Sequence, residues 1–296
     1  MTALRVQGMA FVALSSFLIV FSSALARLDQ QAELIVLTVL IILLGVPHGA
    51  LDTVFAQQQY RVQGVLGWLV FALAYCLPVL FVLWLWKLTP LVFLLMFFVI
   101  SIFHFSGDPA TGTPPLSRLF YGGAIVILPS LLHAAEIERT LSFLIGVDQA
   151  SRVVPLLHWI AWPWLLGLAA SGLFALRSNW LTGLELIAMG FLCVLAPPLL
   201  AFTAYFCAMH SARHILRSLQ YAESSTLRPV IQAALLPMLG VVILLAAGFV
   251  WLRDLSLEAQ LIQLVFVTLA ALTLPHMALV EQVRFLGWER KLNEQP

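Results

Sequence analysis

Charge is what this chain lacks most. Only 10% of its 296 residues are Asp, Glu, Lys or Arg, against about 25% in soluble domains. The net charge is +1, which leaves no basic footprint for nucleic acid. Cysteine is scarce too. Cys76, Cys193 and Cys207 lie in apolar segments with no zinc or redox spacing, and read as small buried hydrophobes. Alternating ten-residue strands are absent, which argues against a transmembrane barrel. There is no Gly-rich dinucleotide loop, no internal repeat, no low-complexity tract and no separate soluble domain.

What is there is hydrophobic. Apolar residues make up 62% of the chain, and the mean hydropathy is +1.01. Apolar stretches of about 20 residues recur from end to end, the mark of a polytopic α-helical membrane protein. The expected spans are 9–26, 33–50, 65–86, 90–106, 118–135, 153–176, 180–196, 199–219, 230–252 and 260–280. These make one membrane domain, 1–296. "ALA" at 24–26 resembles a signal-peptide cleavage site, but equally apolar spans follow at once, which favours an uncleaved first span.

The segment 180–219 is too long for one span, and Pro197-Pro198 breaks it. A tight turn there gives ten spans; one long kinked helix gives nine. With ten, the side holding both termini carries ten of the fifteen Lys and Arg residues. The positive-inside rule then places both termini in the cytoplasm of a cell-membrane protein. Between the fifth and sixth spans lies a polar loop with Glu136, Glu138, Arg139, Asp148 and Arg152. Its "RTLSFLIGV" is expected as a short amphipathic interfacial helix.

Seven histidines stand out against this apolar background, since ionisable residues inside spans are costly and mark function. His133 and His158 sit beside a polar loop and an aromatic run, and read as interfacial. The other five are His48 in "GVPHGALD", His104 in "FHFSGD", His210 and His214 in "MHSARH", and His276 in "LPHM". Under ten spans all five fall toward the cytoplasmic end; under nine, three are stranded on the other side. His210 and His214 are four apart, the spacing by which one helix offers two imidazoles to a metal. Asp52 and Asp108 each follow a histidine by four residues. Either is placed to fix an imidazole tautomer, or simply to terminate a helix. An all-imidazole site suits iron, copper, zinc or nickel. A site with two open positions brings oxygen and a substrate together, while a hydrolytic zinc site would use an Asp as base. The residues alone leave these chemistries open. They also leave open a histidine-lined metal or proton transporter and a bis-histidine haem carrier. A di-iron desaturase would need about eight histidines and an HH pair, which this chain lacks.

At "PHGALD" (47–52), "FHFSGD" (103–108), "HSARH" (210–214) and the late "PH" (275–276), the sequence resembles the Brp/Blh family of integral-membrane β-carotene 15,15′-dioxygenases. The motifs match in order and interval across almost the whole chain. The chain departs from many relatives at Ser106, where they carry "HFG"; no expected ligand is affected. The resemblance implies a non-haem Fe(II) site held by His48, His104, His210 and His214. It implies cleavage of β-carotene by O2 at its central double bond into two retinal molecules, without nicotinamide or flavin. His276 matches a family histidine and is expected to act behind the ligands or to gate substrate, with Asp52 and Asp108 as orienting partners. Tyr205 and Phe206, one turn before His210, are expected to touch the carotenoid, which arrives from the bilayer. Delivery of retinal to a microbial rhodopsin is a further implied partnership.

Overall fold

A computed structural model describes residues 2–25, 30–221 and 228–283. Every regular element among them is helical. The chain forms two compact units, each assembled from two separated stretches. One takes in the described residues of 1–45 and 94–213, the other those of 46–93 and 214–296.

In the first unit, Val147–Leu176 is the central helix. Pro115–Ile127, Ala134–Ile145 and Trp180–Leu195 pack on it, and Ala3–Leu25 packs on Trp180–Leu195. Apolar faces gain little by pairing inside a bilayer, so close backbone approach must hold such helices together. Glycines supply it. A Cβ on Gly122 would collide with the Ile102 carbonyl oxygen, and one on Gly123 with the Trp164 indole. That indole donates to the Phe120 carbonyl at 2.7 Å. Gly146, at φ +87°, turns the chain from Ala134–Ile145 into Val147–Leu176, a conformation that side-chain-bearing residues rarely adopt.

In the second unit, Leu257–Val283 packs against Gly64–Leu88 and Asp52–Tyr60, while Arg228–Trp251 packs against Pro47–Ala50 and Leu257–Val283. Two of these helices face outward along most of their length. Val82 is the buried residue of Gly64–Leu88, and none of Ala234–Trp251 is buried. Such all-round apolar helices need lipid around them.

Among the described residues, six helices are long and apolar enough to cross a membrane. A seventh arises if Pro115–Leu131 and Ala134–Ile145 count together, although they bend by 109°. This is a multi-pass membrane protein. Among the described residues each of the ten expected spans falls mostly on helix, but length and composition do not carry the count to ten. Pro90–Phe105 and Trp180–Leu195 have 16 residues each, about 24 Å at 1.5 Å per residue, short of the roughly 30 Å hydrocarbon core. The eighth expected span ends in polar "ARHILRSLQY". Pro197-Pro198 does separate two helices: Ala196 and Pro197 are extended, and the next helix starts at Pro198. "RTLSFLIGV" contributes most of its residues to Ala134–Ile145, which buries Leu141, Leu144 and Ile145 and exposes Glu136.

Candidate functional site

Two stretches of the first unit are wound more loosely than an α-helix. Ile41–Gly45 and Tyr205–Ser211 are π-helical, a form that recurs at functional sites. They pack on each other. The Ser211 hydroxyl donates to the Gly45 carbonyl, and the Phe206 ring lies where a Cβ on Gly45 would go. The π stretch carries His210.

His210 is 2% exposed, and its Nδ1 meets both oxygens of Asp108, at 3.0 and 3.1 Å. The Tyr205 hydroxyl donates to Asp108 Oδ2 at 2.6 Å. The His104 ring stands edge-on to His210, with centroids 4.6 Å apart. Phe206 stacks on His210, with ring centroids 5.6 Å apart. Asp108 is held through its backbone as well. Its carbonyl accepts from Arg213 Nη1 at 3.0 Å. The turn around it is clamped by Arg118, which donates to the carbonyls of Ser106, Ala110 and Thr113.

Arg213 is itself buried. Its guanidinium grips Glu185 with both Nη atoms, at 2.6 and 3.0 Å, and donates from Nε to Gln7 Oε1 at 2.9 Å. Gln7 in turn donates to the Ala208 carbonyl at 2.8 Å. Gly8 makes room for this pair, since a Cβ there would strike Glu185. The network ties Ala3–Leu25 and Trp180–Leu195 to the segment that carries His210. Arg213 is thus a buried cation paired inside the helical packing, not an exposed loop charge.

The second unit holds three imidazoles. His48, His214 and His276 form a triangle, with ring centroids at 5.3 Å (His48–His214), 5.1 Å (His48–His276) and 5.0 Å (His214–His276). All three are buried. His276 Nδ1 meets Asp52 Oδ1 at 2.7 Å, and the Tyr75 hydroxyl donates to Asp52 Oδ2 at 2.8 Å. Phe55 lies edge-on to His214 at 5.9 Å.

The structure thus rearranges the expected partnerships. Asp52 was expected to serve His48 and Asp108 to serve His104, each from four residues on. Instead Asp52 meets His276 and Asp108 meets His210. The local backbone explains both. Pro47–Ala50 ends before Asp52, which opens a separate helix, and Pro90–Phe105 ends before Asp108. Neither pair lies on one continuous α-helical turn. His210 lies in the π-helical stretch and His214 in the α-helix Ala212–Tyr221 that follows it. The π winding bonds i to i+5, so four residues make less than a full turn across it. Tyr205, expected against substrate, is fully buried with its hydroxyl on Asp108. Outside both clusters, His133 faces Glu136 at 3.2 Å and His158 Nδ1 meets the Ser130 carbonyl at 2.9 Å.

Tyr75, Glu185, Arg213 and Gln7 were missed as site residues. Glu185 alone carried a signal, as the one carboxylate within an otherwise apolar span at 180–196. Tyr75 looked like any aromatic in a lipid-facing helix.

Chemically, both clusters suit a first-row transition metal. Imidazole is a ligand for such ions. A carboxylate on Nδ1 fixes the tautomer and presents Nε2 as the binding nitrogen. His210 and His276 are both held this way, and the second unit alone brings three imidazoles together.

Fold and site together define a class: a multi-pass helical membrane protein with buried, carboxylate-held imidazoles. Comparison with known proteins makes the class specific. A family model described as beta-carotene 15,15'-dioxygenase matches residues 39–284, a range that contains the histidines, aspartates and tyrosines of both clusters. A curated protein of that name from an uncultured marine bacterium (66A03) is 30% identical over 270 residues, covering 82% of this chain and 90% of that protein. No solved structure matches. The chain belongs to the β-carotene 15,15′-dioxygenase family, a family of enzymes.

Proposed function

We propose that this chain cleaves β-carotene at its central 15,15′ double bond with O2, giving two molecules of retinal, at one Fe(II) held by His48, His104, His210 and His214. Membership of the dioxygenase family carries the proposal. The donor set supports its metal dependence: buried imidazoles with two carboxylates behind them suit a divalent ion. Iron supplies, when bound, the redox chemistry that lets O2 react with an alkene.

The chain's own residues do the rest. Asp108 accepts from His210 Nδ1–H and is steadied by the Tyr205 hydroxyl. Its negative charge offsets part of the ion's positive charge in a site with little water. Arg213, Glu185 and Gln7 fix the segment on which His210 rides, so the imidazole keeps one orientation. The carotenoid is bilayer-soluble, and helices with wholly apolar outer faces let it approach without passing through water. One O2 and one alkene give two aldehydes, so the overall reaction balances without an external reductant. Phe206 stacks on His210 and is the residue proposed here to touch the polyene. Tyr205 is better cast as the positioner of Asp108.

We further propose that residues 1–296 act as one membrane domain of ten spans in the cell membrane, with both termini in the cytoplasm. Retinal released into the bilayer would suit a rhodopsin as acceptor. Expression in β-carotene-producing cells tests the main reading. Loss of orange colour with accumulation of retinal is expected, and His210→Ala is expected to abolish it. Unchanged carotenoid with well-expressed, iron-loaded protein would defeat it.

A further inference from the structure

We infer that His276 binds the metal alongside His48 and His214 and that Asp52 and Tyr75 hold it in place to do so; this rests on the metal-dependent reading above. Two observations within single units carry it. The first is a duplicated device. In the first unit a buried Tyr205 hydroxyl donates to Asp108 Oδ2, and His210 Nδ1 meets Oδ1. In the second a Tyr75 hydroxyl donates to Asp52 Oδ2, and His276 Nδ1 meets Oδ1. The two triads are built from different helices at different spacings, yet both place a carboxylate between a tyrosine hydroxyl and a histidine Nδ1, with His210 reaching both oxygens of Asp108. A histidine that only needed its Nδ1–H satisfied would not require this. His158 manages with the Ser130 backbone carbonyl, which avoids burying a carboxylate at a cost of several kcal/mol. An Asp on Nδ1 makes sense where Nε2 must be a strong, correctly aimed donor.

The second observation is spacing. An ion–nitrogen bond of about 2.1 Å plus about 1.1 Å from nitrogen to ring centre puts a ligating imidazole centroid about 3.2 Å from its ion. Three such centroids at the 90–120° angles of a five- or six-ligand ion are then about 4.5 to 5.5 Å apart. The His48, His214 and His276 centroids are 5.0 to 5.3 Å apart. His276 has the same spacing as the two histidines already assigned to the ion. It is not set behind them, where an orienting residue would stand.

The test uses the full chain in detergent, stripped by a chelator and titrated anaerobically with Co(II). It reads the affinity and the visible d–d spectrum, which reports the number and kind of ligands. His276→Ala should weaken binding at least about tenfold and change the spectrum, with Asp52→Asn next and Tyr75→Phe smallest. If His276→Ala does not fold, Asp52→Asn keeps the imidazole and still must shift both readouts. An affinity within about twofold of the parent and an unchanged spectrum, in whichever of these two variants folds, would overturn the inference. His210→Ala separates this from the broader reading. Lost Co(II) binding there with full retention in His276→Ala overturns only the role of His276. Retention in His210→Ala and His48→Ala alike would remove the metal-dependent reading itself.

Discussion

The two histidine clusters use the same triad of Tyr, Asp and His but set it in different surroundings. Around Asp108 and His210 the scaffold is over-determined. Arg213 binds the Asp108 carbonyl, Arg118 clamps the turn, Glu185 and Gln7 hold Arg213, and glycines bring the neighbouring helices into backbone contact. Around Asp52 and His276 the carboxylate is held by Tyr75 and His276, with Tyr75 on a helix whose outer face is exposed along most of its length. The chemistry of an anchored imidazole is therefore separable from the rigidity of what anchors it. Damage to the first cluster's supports should act mainly through stability. Damage to the second should act mainly through the imidazoles themselves.

The largest effect should follow from breaking the buried ion pair. Glu185→Ala leaves the Arg213 guanidinium without its counter-charge and should cost about 3–5 kcal/mol, seen as a large fall in the thermal midpoint in detergent. A stability change under about 1 kcal/mol would show that the pair is not sequestered as described. Next comes the carboxylate comparison. Asp108→Asn and Asp52→Asn should each lower metal affinity by about 10- to 100-fold, measured by the same Co(II) titration. Equal losses would support two equivalent triads, and a loss in Asp108→Asn alone would break the parallel. The tyrosine hydroxyls rank third. Tyr205→Phe and Tyr75→Phe each remove one hydrogen bond to a carboxylate, worth about 1.5–3 kcal/mol at most. The stiffer first cluster should show the smaller spectral change and the second the larger. Smallest of all, Glu136→Gln removes a half-exposed contact with His133 outside both clusters. It should move stability by less than about 1 kcal/mol and leave metal binding untouched.

Legibility in the sequence followed the length scale of the signal. Helical spans are written in runs of apolar residues, and the break at Pro197-Pro198 in the geometry of proline, so both could be read directly. The histidines could be singled out because an imidazole in an apolar helix needs a reason. Their partners could not. The rule that residues four apart share a face assumes continuous α-helix. Here the chain ends a helix between His48 and Asp52, ends another between His104 and Asp108, and changes to π winding at His210. Each irregularity redirects a carboxylate to a histidine that is distant in sequence, 102 residues away for Asp108 and 224 for Asp52. The Arg213–Glu185 pair was hidden for a different reason. An arginine near the end of a polar stretch looks like a loop charge until the helix carrying Glu185 is packed against it. The span count of ten goes beyond what helix length and composition carry, because the 16-residue apolar helices resemble full spans when only their composition is read.

The central claim is metal-dependent central cleavage, and one measurement addresses it directly. Purified full-length protein in detergent is stripped of metal, divided, and given β-carotene and O2 with or without added Fe(II). The account predicts two retinal molecules for each β-carotene consumed in the iron-loaded sample and negligible consumption in the stripped one. Equal turnover in both samples, or apocarotenals of unequal length in place of retinal, would contradict it.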